Sequence, residues 1–552
     1  MDEKSSVADL EPFASWQVRA RRHSLWPYGL ALVGFVLAFS QLLIRLVQGT
    51  GIIDAIWPYA VRSLDWTMMM RGAMGWTFIL FSFTVFCGFM FAKLRQDERY
   101  SRPINEIGLV VLGLICGFIV IHFAMDVFYL RGAFLILPTY YGCLLVTTLL
   151  AIGGLPRLRE SSTTPVSKQR VFHLLGVFIA AWMIMPGVPA LMGFAPTPPN
   201  PPTLGYGSTP GPYETVQFSS PYEMPSEVVS VQGNLEDDIE FSIYYTLPLF
   251  PEDTPIDSIP LAVLLHGFGY PDVNAYESWI QHLAAKGIAV AFVQYPSDIR
   301  PEGFEDHQVT EQQGMTDFLQ HSYRDLAIQA AITHIDETLL GSSRLTQINE
   351  TLGPIVVDPS TLWSGGHSLG GAYSFLVLDH VLPMGWGSNA LVFAPESPAA
   401  RPLQTELQPD LSLIPDETLV QIGITEDDLS VGLCPAAFHQ ALFNNLSEER
   451  TQVVLVQSDR YGFPRLVASH YLQSEPAHDS LADWGFYRRI DAQADYLVAH
   501  SRNDSITADW AFSYMMDETT LTHMGQWSDG MPVLPLKLYN DALSHERFQN
   551  CA

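Results

Sequence analysis

Five apolar stretches dominate the first 194 of this chain's 552 residues, near 27–48, 74–93, 107–129, 132–154 and 171–194. Each approaches or exceeds the roughly 20 residues that carry a helix across a bilayer, so the pattern predicts an all-α, five-helix transmembrane domain over 26–194. The first stretch lacks an A-x-A cleavage site, which reads as an uncleaved anchor behind a cytoplasmic tail, 1–25. Arg21-Arg22 ahead of it is explained by topology charge rather than by a twin-arginine signal.

Loop charges orient these helices. The tail (Lys4, Arg19, Arg21, Arg22), the loop 94–106 with its edge (Lys93, Arg95, Arg99, Arg102) and the loop 155–170 (Arg157, Arg159, Lys168, Arg170) hold twelve cations. The opposite side holds four: Arg45, Arg62, Arg71 and Arg131. The positive-inside rule then puts the N-terminus in the cytoplasm, and five crossings deliver everything after Phe194 to the other side of a plasma or inner membrane. Within the bundle, Gly113 and Gly117 form a GxxxG that permits close helix approach. His122 and Asp126 share a helix face, with Arg131 as an interfacial partner for the carboxylate. Trp57, Tyr59 and Trp66 read as an interfacial belt.

Charge divides sharply at this boundary. Up to Phe194 there are 16 Lys and Arg against 11 Asp and Glu; beyond it, 13 against 47. So anionic a part argues against nucleic acid as a partner and reads as a solubility device. Cys87, Cys116 and Cys143 fall in apolar segments and read as small core residues. Cys434 and Cys551 lie in the acidic part, where an oxidising compartment would allow a disulfide that anchors the C-terminus. Nine prolines in 195–225 predict an extended spacer ahead of the outer domain, 226–552.

From 226 onward the pattern becomes strands alternating with helices. "EVVSVQG" and "IEFSIYYTL" are strand-like, and "PLAVLLHG", "IAVAFVQYP", "NALVFAP", "ETLVQIGI" and "TQVVLVQS" are the apolar runs of strands buried on both faces. Helices are expected at "AYESWIQHLAAKG", around 315–339 and from Leu369 to about Leu382. The alternation implies right-handed βαβ units and a doubly wound, mostly parallel sheet, with functional residues at the carboxyl ends of its strands.

At one such end stands "TLWSGGHSLGGAYSFLVL", in which Gly366-His367-Ser368-Leu369-Gly370 is a G-x-S-x-G between a strand and a helix. A turn this tight strains the backbone of the serine and needs small residues two before and two after it. It also sets the hydroxyl at a helix N-terminus, where N–H groups can hold an oxyanion. Here 255–480 resembles the α/β-hydrolase superfamily, and "GHSLGG" is similar to its lipase and esterase elbow. A second mark of that superfamily, "LLHGFG", ends an apolar strand, with His266 102 residues before Ser368. The resemblance implies a nucleophile at Ser368 and an oxyanion hole made by the backbone N–H groups of Phe268 and Leu369. It implies the order Ser, acid, His, with the acid in G-x-x-D-x-x-V. Asp428, three before Val431, suits that pattern, with one extra residue after Gly423. Asp427 is the alternative acid, and Glu426 a weaker one. The base follows "TQVVLVQS". His470 is favoured, nearer the strand and flanked by apolar residues, with His478 as the alternative. His439, His500, His523 and His545 read as surface or core residues, and His367 inside the elbow is not the base.

With that resemblance, the expectation is a membrane-anchored serine hydrolase that cleaves carboxylic esters of a small molecule or lipid, without cofactor or metal. The alternatives are another acyl enzyme on the same triad (peptidase, thioesterase or acyltransferase), or a non-catalytic sensor or transporter with a ligand-binding outer domain. Only 22 residues separate the strands ending at Pro395 and starting near Thr418, too few for a large cap. Residues 296–314 and the tail after 480 are left to cover the pocket, and Phe268, Tyr270 and Trp363 are candidates for an apolar acyl site. Asn349, Asn445 and Asn503 begin N-x-S/T triplets, relevant only in a host that glycosylates.

Overall fold

A computed structural model of the chain describes residues 26–52, 55–56, 59, 74–129, 136–152, 196–231, 241–251, 254–297, 323–341, 344–399, 409–462 and 465–551. It divides into two units, one of 1–43, 82–120 and 141–179, the other of the remaining residues.

The described residues of the N-terminal third form helices α1 (Trp26–Ala38), α2 (Ser40–Val47), α3 (Met74–Leu94), α4 (Glu98–Tyr129) and α5 (Ile136–Ile152). Among the described residues, one helix is long and apolar enough to cross a membrane, over Glu98–Ile121. They number two if α1 and α2, bent by 59°, form one span. The five-span expectation is therefore met only in this coarser form. Helix α5 has 17 residues, the apolar run Ile79–Leu94 is also short, and 171–194 lies outside the described residues. The expected loop 94–106 is largely the first turns of α4, a single helix of 32 residues that carries Pro103 in its first turns. The small residues behave as expected of a close crossing. A Cβ on Gly113 would collide with the Ala31 carbonyl of α1, and one on Gly34 with the Val110 carbonyl of α4. Trp57 and Trp66, and the side chains of His122 and Asp126, lie outside the described residues.

The second unit is built on a nine-stranded sheet: β1 (Glu214–Pro221), β2 (Ser242–Leu249), β3 (Ser258–Leu265), β4 (Ala289–Val293), β5 (Val356–His367), β6 (Ala390–Glu396), β7 (Leu419–Thr425), β8 (Thr451–Val456) and β9 (Lys537–Tyr539). Its order is β1-β2-β4-β3-β5-β6-β7-β8-β9. The six strands β4, β3, β5, β6, β7 and β8 pair in parallel, while β1, β2 and β9 complete the edges antiparallel. Side chains alternate across this sheet, as the two-residue period requires. Ile259, Leu261, Val263 and Leu265 of β3 enter one core, with α8 (Tyr323–Ile335) and α10 (Leu369–Val381). Ala262 and Leu264 enter the other, with α7 (Glu277–Ala284) and α12 (Arg488–Ser501). Strands buried on both sides explain the unbroken apolar runs. This mixed, doubly wound sheet fits an α/β-hydrolase.

Two expectations change at the N-terminal edge. The described part of "EVVSVQG", residues 227–231, lies in helix α6 (Ser226–Val231) rather than a strand. Its Val229 N–H returns to the Pro225 carbonyl at 3.0 Å and its Val228 is fully buried, so packing overrides the β-branched preference. The segment expected to be a spacer is fastened to the sheet unit. Thr197 exchanges hydrogen bonds with Ser528, Trp484 Nε1 donates to the Asn200 carbonyl at 2.9 Å, and the Gly207 N–H reaches Asp491 at 2.7 Å. Tyr206 is buried against Tyr514 and Trp510, and residues 214–221 are the edge strand β1. At the other edge, Cys434 of α11 (Cys434–Leu442) is disulfide-bonded to Cys551 across 117 residues, closing the C-terminal segment against the sheet.

Candidate active site

Between β4 and β5 the chain reverses direction across the sheet, since β4 lies on one side of β3 and β5 on the other. Crevices of doubly wound sheets open at such a point, beyond the carboxyl ends of the strands. The loop after β3 carries His266, Gly267 and Phe268; the turn after β5 carries Ser368.

Ser368 has φ +56° and ψ −117°, a region that costs a non-glycine residue roughly 1–3 kcal/mol and persists only when its surroundings hold it. They do. Its N–H donates to the Glu396 carbonyl at 2.9 Å, and its own carbonyl accepts from Ala372 and Ala399 at 3.1 and 2.9 Å. The neighbouring glycines are required by contact: a Cβ on Gly366 would stand 2.6 Å from the Leu265 carbonyl, and one on Gly370 would collide with the same oxygen. Ser368 is 8% exposed and its hydroxyl does not cap α10. On the β3 side, a Cβ on Gly267 would lie 3.4 Å from Ser368 Cβ, so the His-Gly loop passes directly over the serine. The N–H groups of Phe268 and Leu369 have no acceptor among the described residues. Leu369 is the first residue of α10, whose N–H is unused by the helix.

His470 Nδ1 and Asp428 Oδ2 are 2.7 Å apart, with both side chains almost fully buried. The second oxygen, Asp428 Oδ1, accepts the N–H groups of Ser430 and Val431 at 2.8 and 3.0 Å. Burial pushes this carboxyl up, but His470 and the two backbone donors outweigh it and hold the group below the usual carboxylate range. The alternatives have other partners. Asp427 Oδ2 accepts the Ser458 hydroxyl at 2.6 Å, and the Asp427 N–H donates to the Ala468 carbonyl at 3.0 Å. Glu426 pairs with Arg547 at 2.9 Å. His478 lies between Asp483, at 2.6 Å, and Glu475, at 3.5 Å. The long loop after β8 folds back on itself through paired bonds between Asp459 and Leu466, both 2.9 Å, which returns His470 to the sheet end.

His367 joins the two halves of the site. Its Nε2 is 2.8 Å from the His470 carbonyl, and its Nδ1 3.2 Å from the Tyr276 hydroxyl, which also accepts the Gly267 N–H at 3.0 Å. Complete burial, with His470 nearby, pushes the imidazole down to about 3, so it is neutral. A carbonyl only accepts, which fixes the proton on Nε2 and makes the tyrosine the donor to Nδ1. His367 is thus committed to structure.

Trp363 is core rather than pocket: it is fully buried and its Nε1 donates to Gln493 at 2.9 Å. Phe268 is 46% exposed at the mouth of the crevice, and Tyr270 packs edge-on against Tyr276 and Tyr471. Of 296–314, only 296–297 lie within the described residues. Among the described residues no cluster of three or more His, Cys, Asp or Glu is placed to hold a metal ion.

The chain matches no protein-family description and no curated protein. Solved structures that it resembles include a thermostable esterase from Pseudomonas putida ECU1011, 13% identical with a TM-score of 0.31, the match covering 52% of this chain and 84% of the esterase. Another, from a study of two fungal esterases of Rhizomucor miehei, is 15% identical with a TM-score of 0.30, covering 55% and 87%. Similarity this low says nothing of chemistry. Sequence reasoning missed Glu396, Arg489 and Gln473, which lie beneath the elbow. A lone carboxylate ending the apolar run "ALVFAPE" was the one signal available.

Proposed function

We propose that the chain is a serine hydrolase of carboxylic esters, anchored in a membrane with its sheet unit on the extracytoplasmic side. The observation that carries the chemistry is the buried His470–Asp428 contact of 2.7 Å, tied through the His470 carbonyl to His367, the residue before a serine held at φ +56°. In this reading His470 Nε2 takes the proton of Ser368 Oγ as that oxygen attacks the acyl carbon. Asp428 fixes the imidazole and stabilises its charged form. The N–H groups of Phe268 and Leu369 receive the oxyanion. Collapse expels the alcohol, which takes the proton back from His470, and water then releases the acid by the same steps in reverse.

Anchoring is supported by the outward faces of the N-terminal helices. Leu32, Val36 and Leu37 of α1 and Phe83, Phe86 and Phe89 of α3 are each about half exposed or more, an apolar surface that a soluble protein does not leave in water. With the twelve-to-four charge bias, five crossings are the reading adopted. The Cys434–Cys551 bond suits the compartment this orientation assigns to the sheet unit.

A fluorophosphonate probe tests the reading on the full-length protein. It should label the wild type covalently and leave Ser368→Ala unlabelled; equal labelling of both would refute the nucleophile. A panel of ester, thioester and peptide substrates then separates ester hydrolysis from the other acyl chemistries.

A further inference from the structure

The elbow rests on a buried ion pair that the proposed reaction does not use. Glu396 closes β6, beside His367 on one side and Gly423 of β7 on the other. Its carbonyl accepts the Ser368 N–H, and its carboxylate is sealed from solvent. Arg489 Nη2 donates to Oε1 at 2.8 Å, and Gln473 Nε2 donates to Oε2 at 3.3 Å. Gly423 leaves the room for this: a Cβ there would collide with the carboxylate. The Gly423 carbonyl accepts the N–H of Ser397, itself at φ +46°. Arg489 is equally sealed, its Nε donating to the Gly485 carbonyl at 2.8 Å.

One residue therefore touches all three carriers of the site. Glu396 holds the elbow through its backbone, pairs with Gly423 on β7, the strand that leads to Asp428, and accepts a hydrogen bond from Gln473, three residues beyond His470. Buried ion pairs add little net stability over apolar pairs of the same volume, because desolvation offsets the attraction. Charge-assisted hydrogen bonds nevertheless impose direction and distance more sharply than apolar packing does. We propose that Glu396, clamped by Arg489, is a positioning residue that keeps Ser368 and the His470 loop in register for acyl transfer. The inference rests on the reading of Ser368 and His470 as nucleophile and base.

The test removes both charges together, since removing one would strand the other. In Glu396→Gln/Arg489→Met, circular dichroism and Tm should report a folded protein. The rate of fluorophosphonate labelling and kcat should fall about 10–100-fold, with KM within about twofold of wild type. A purely structural pair would move Tm and leave the labelling rate of the folded protein unchanged, which overturns the proposal. Gln473→Met keeps the ion pair and cuts only the link to the His470 loop; about 3–10-fold slower labelling is expected. Should the double variant not fold, a wild-type rate in Gln473→Met overturns the proposal by itself. Failure of the underlying reading is distinguishable, because it would appear as an unlabelled wild type.

Discussion

Asp427 and Asp428 are consecutive in the chain and hold the same loop, the one after β8, in different ways. The Asp428 carboxylate meets the His470 ring at 2.7 Å, while Asp427 takes the Ser458 hydroxyl at 2.6 Å, and that same hydroxyl accepts the N–H of Ala468. One acid orients a ring; its neighbour ties down the loop on which the ring is carried.

The pair gives a direct comparison. Asp428→Asn should lower kcat by about 10³–10⁴-fold, because the amide can no longer select and stabilise the required form of His470. Asp427→Asn keeps an acceptor for Ser458 and should leave kcat within about threefold. Steady-state kinetics on one ester substrate measure both, and a reversed order would reassign the acid.

His478 predicts an alkaline loss of stability. Burial pushes this imidazole down, but Asp483 and Glu475 more than compensate and raise it to about 9, against 6.5 for the free side chain. A group whose folded value is raised contributes fully below its unfolded value and loses that contribution as pH climbs through the folded one. Tm should therefore decline between about pH 6.5 and 9. The decline should flatten in His478→Gln, as read by thermal unfolding across that window.

Reducing the C-terminal bridge should weaken the sheet unit without touching the site. The bond closes a loop of 117 residues, for which chain entropy gives about 2–5 kcal/mol. Cys551→Ser should lower Tm on the order of 5–15 °C, with wild-type kcat at temperatures where the protein stays folded. An unchanged Tm in non-reducing buffer would argue that the bridge does not form.

Helix packing in the N-terminal unit is open to an equally simple comparison. Gly113→Ala forces a methyl against the Ala31 carbonyl, whereas nothing lies within 4 Å of a Cβ on Gly29 of the same pair of helices. In detergent the first change should lower the melting temperature of the full-length protein, and Gly29→Ala should not.

The central strands were legible because each lies between two layers of helix, so their apolar runs needed no knowledge of partners. The edges were not. Residues 214–221 and 537–539 are short and partly exposed, and neither carries an apolar run. "EVVSVQG" misled because Val228 earns its place by packing on α8, not by strand pairing. The elbow could be read from a G-x-S-x-G set between a strand and a helix, whereas the His-Gly loop was legible only through the resemblance to a known superfamily. The choices between Asp427 and Asp428, and between His470 and His478, depend on how the loops after β7 and β8 lie against each other. Glu396 was invisible for the same reason: its significance lies in Arg489 and Gln473, 93 and 77 residues further along.

Tyr206, seated between Trp510 and Tyr514, changes where an experimenter should cut. A fragment begun at 226 would strip away an edge strand and open an aromatic socket to water, together with the Asp491 carboxylate that now receives Gly207. A fragment that keeps these contacts starts at residue 196, thirty positions earlier than a boundary drawn from proline content would place it.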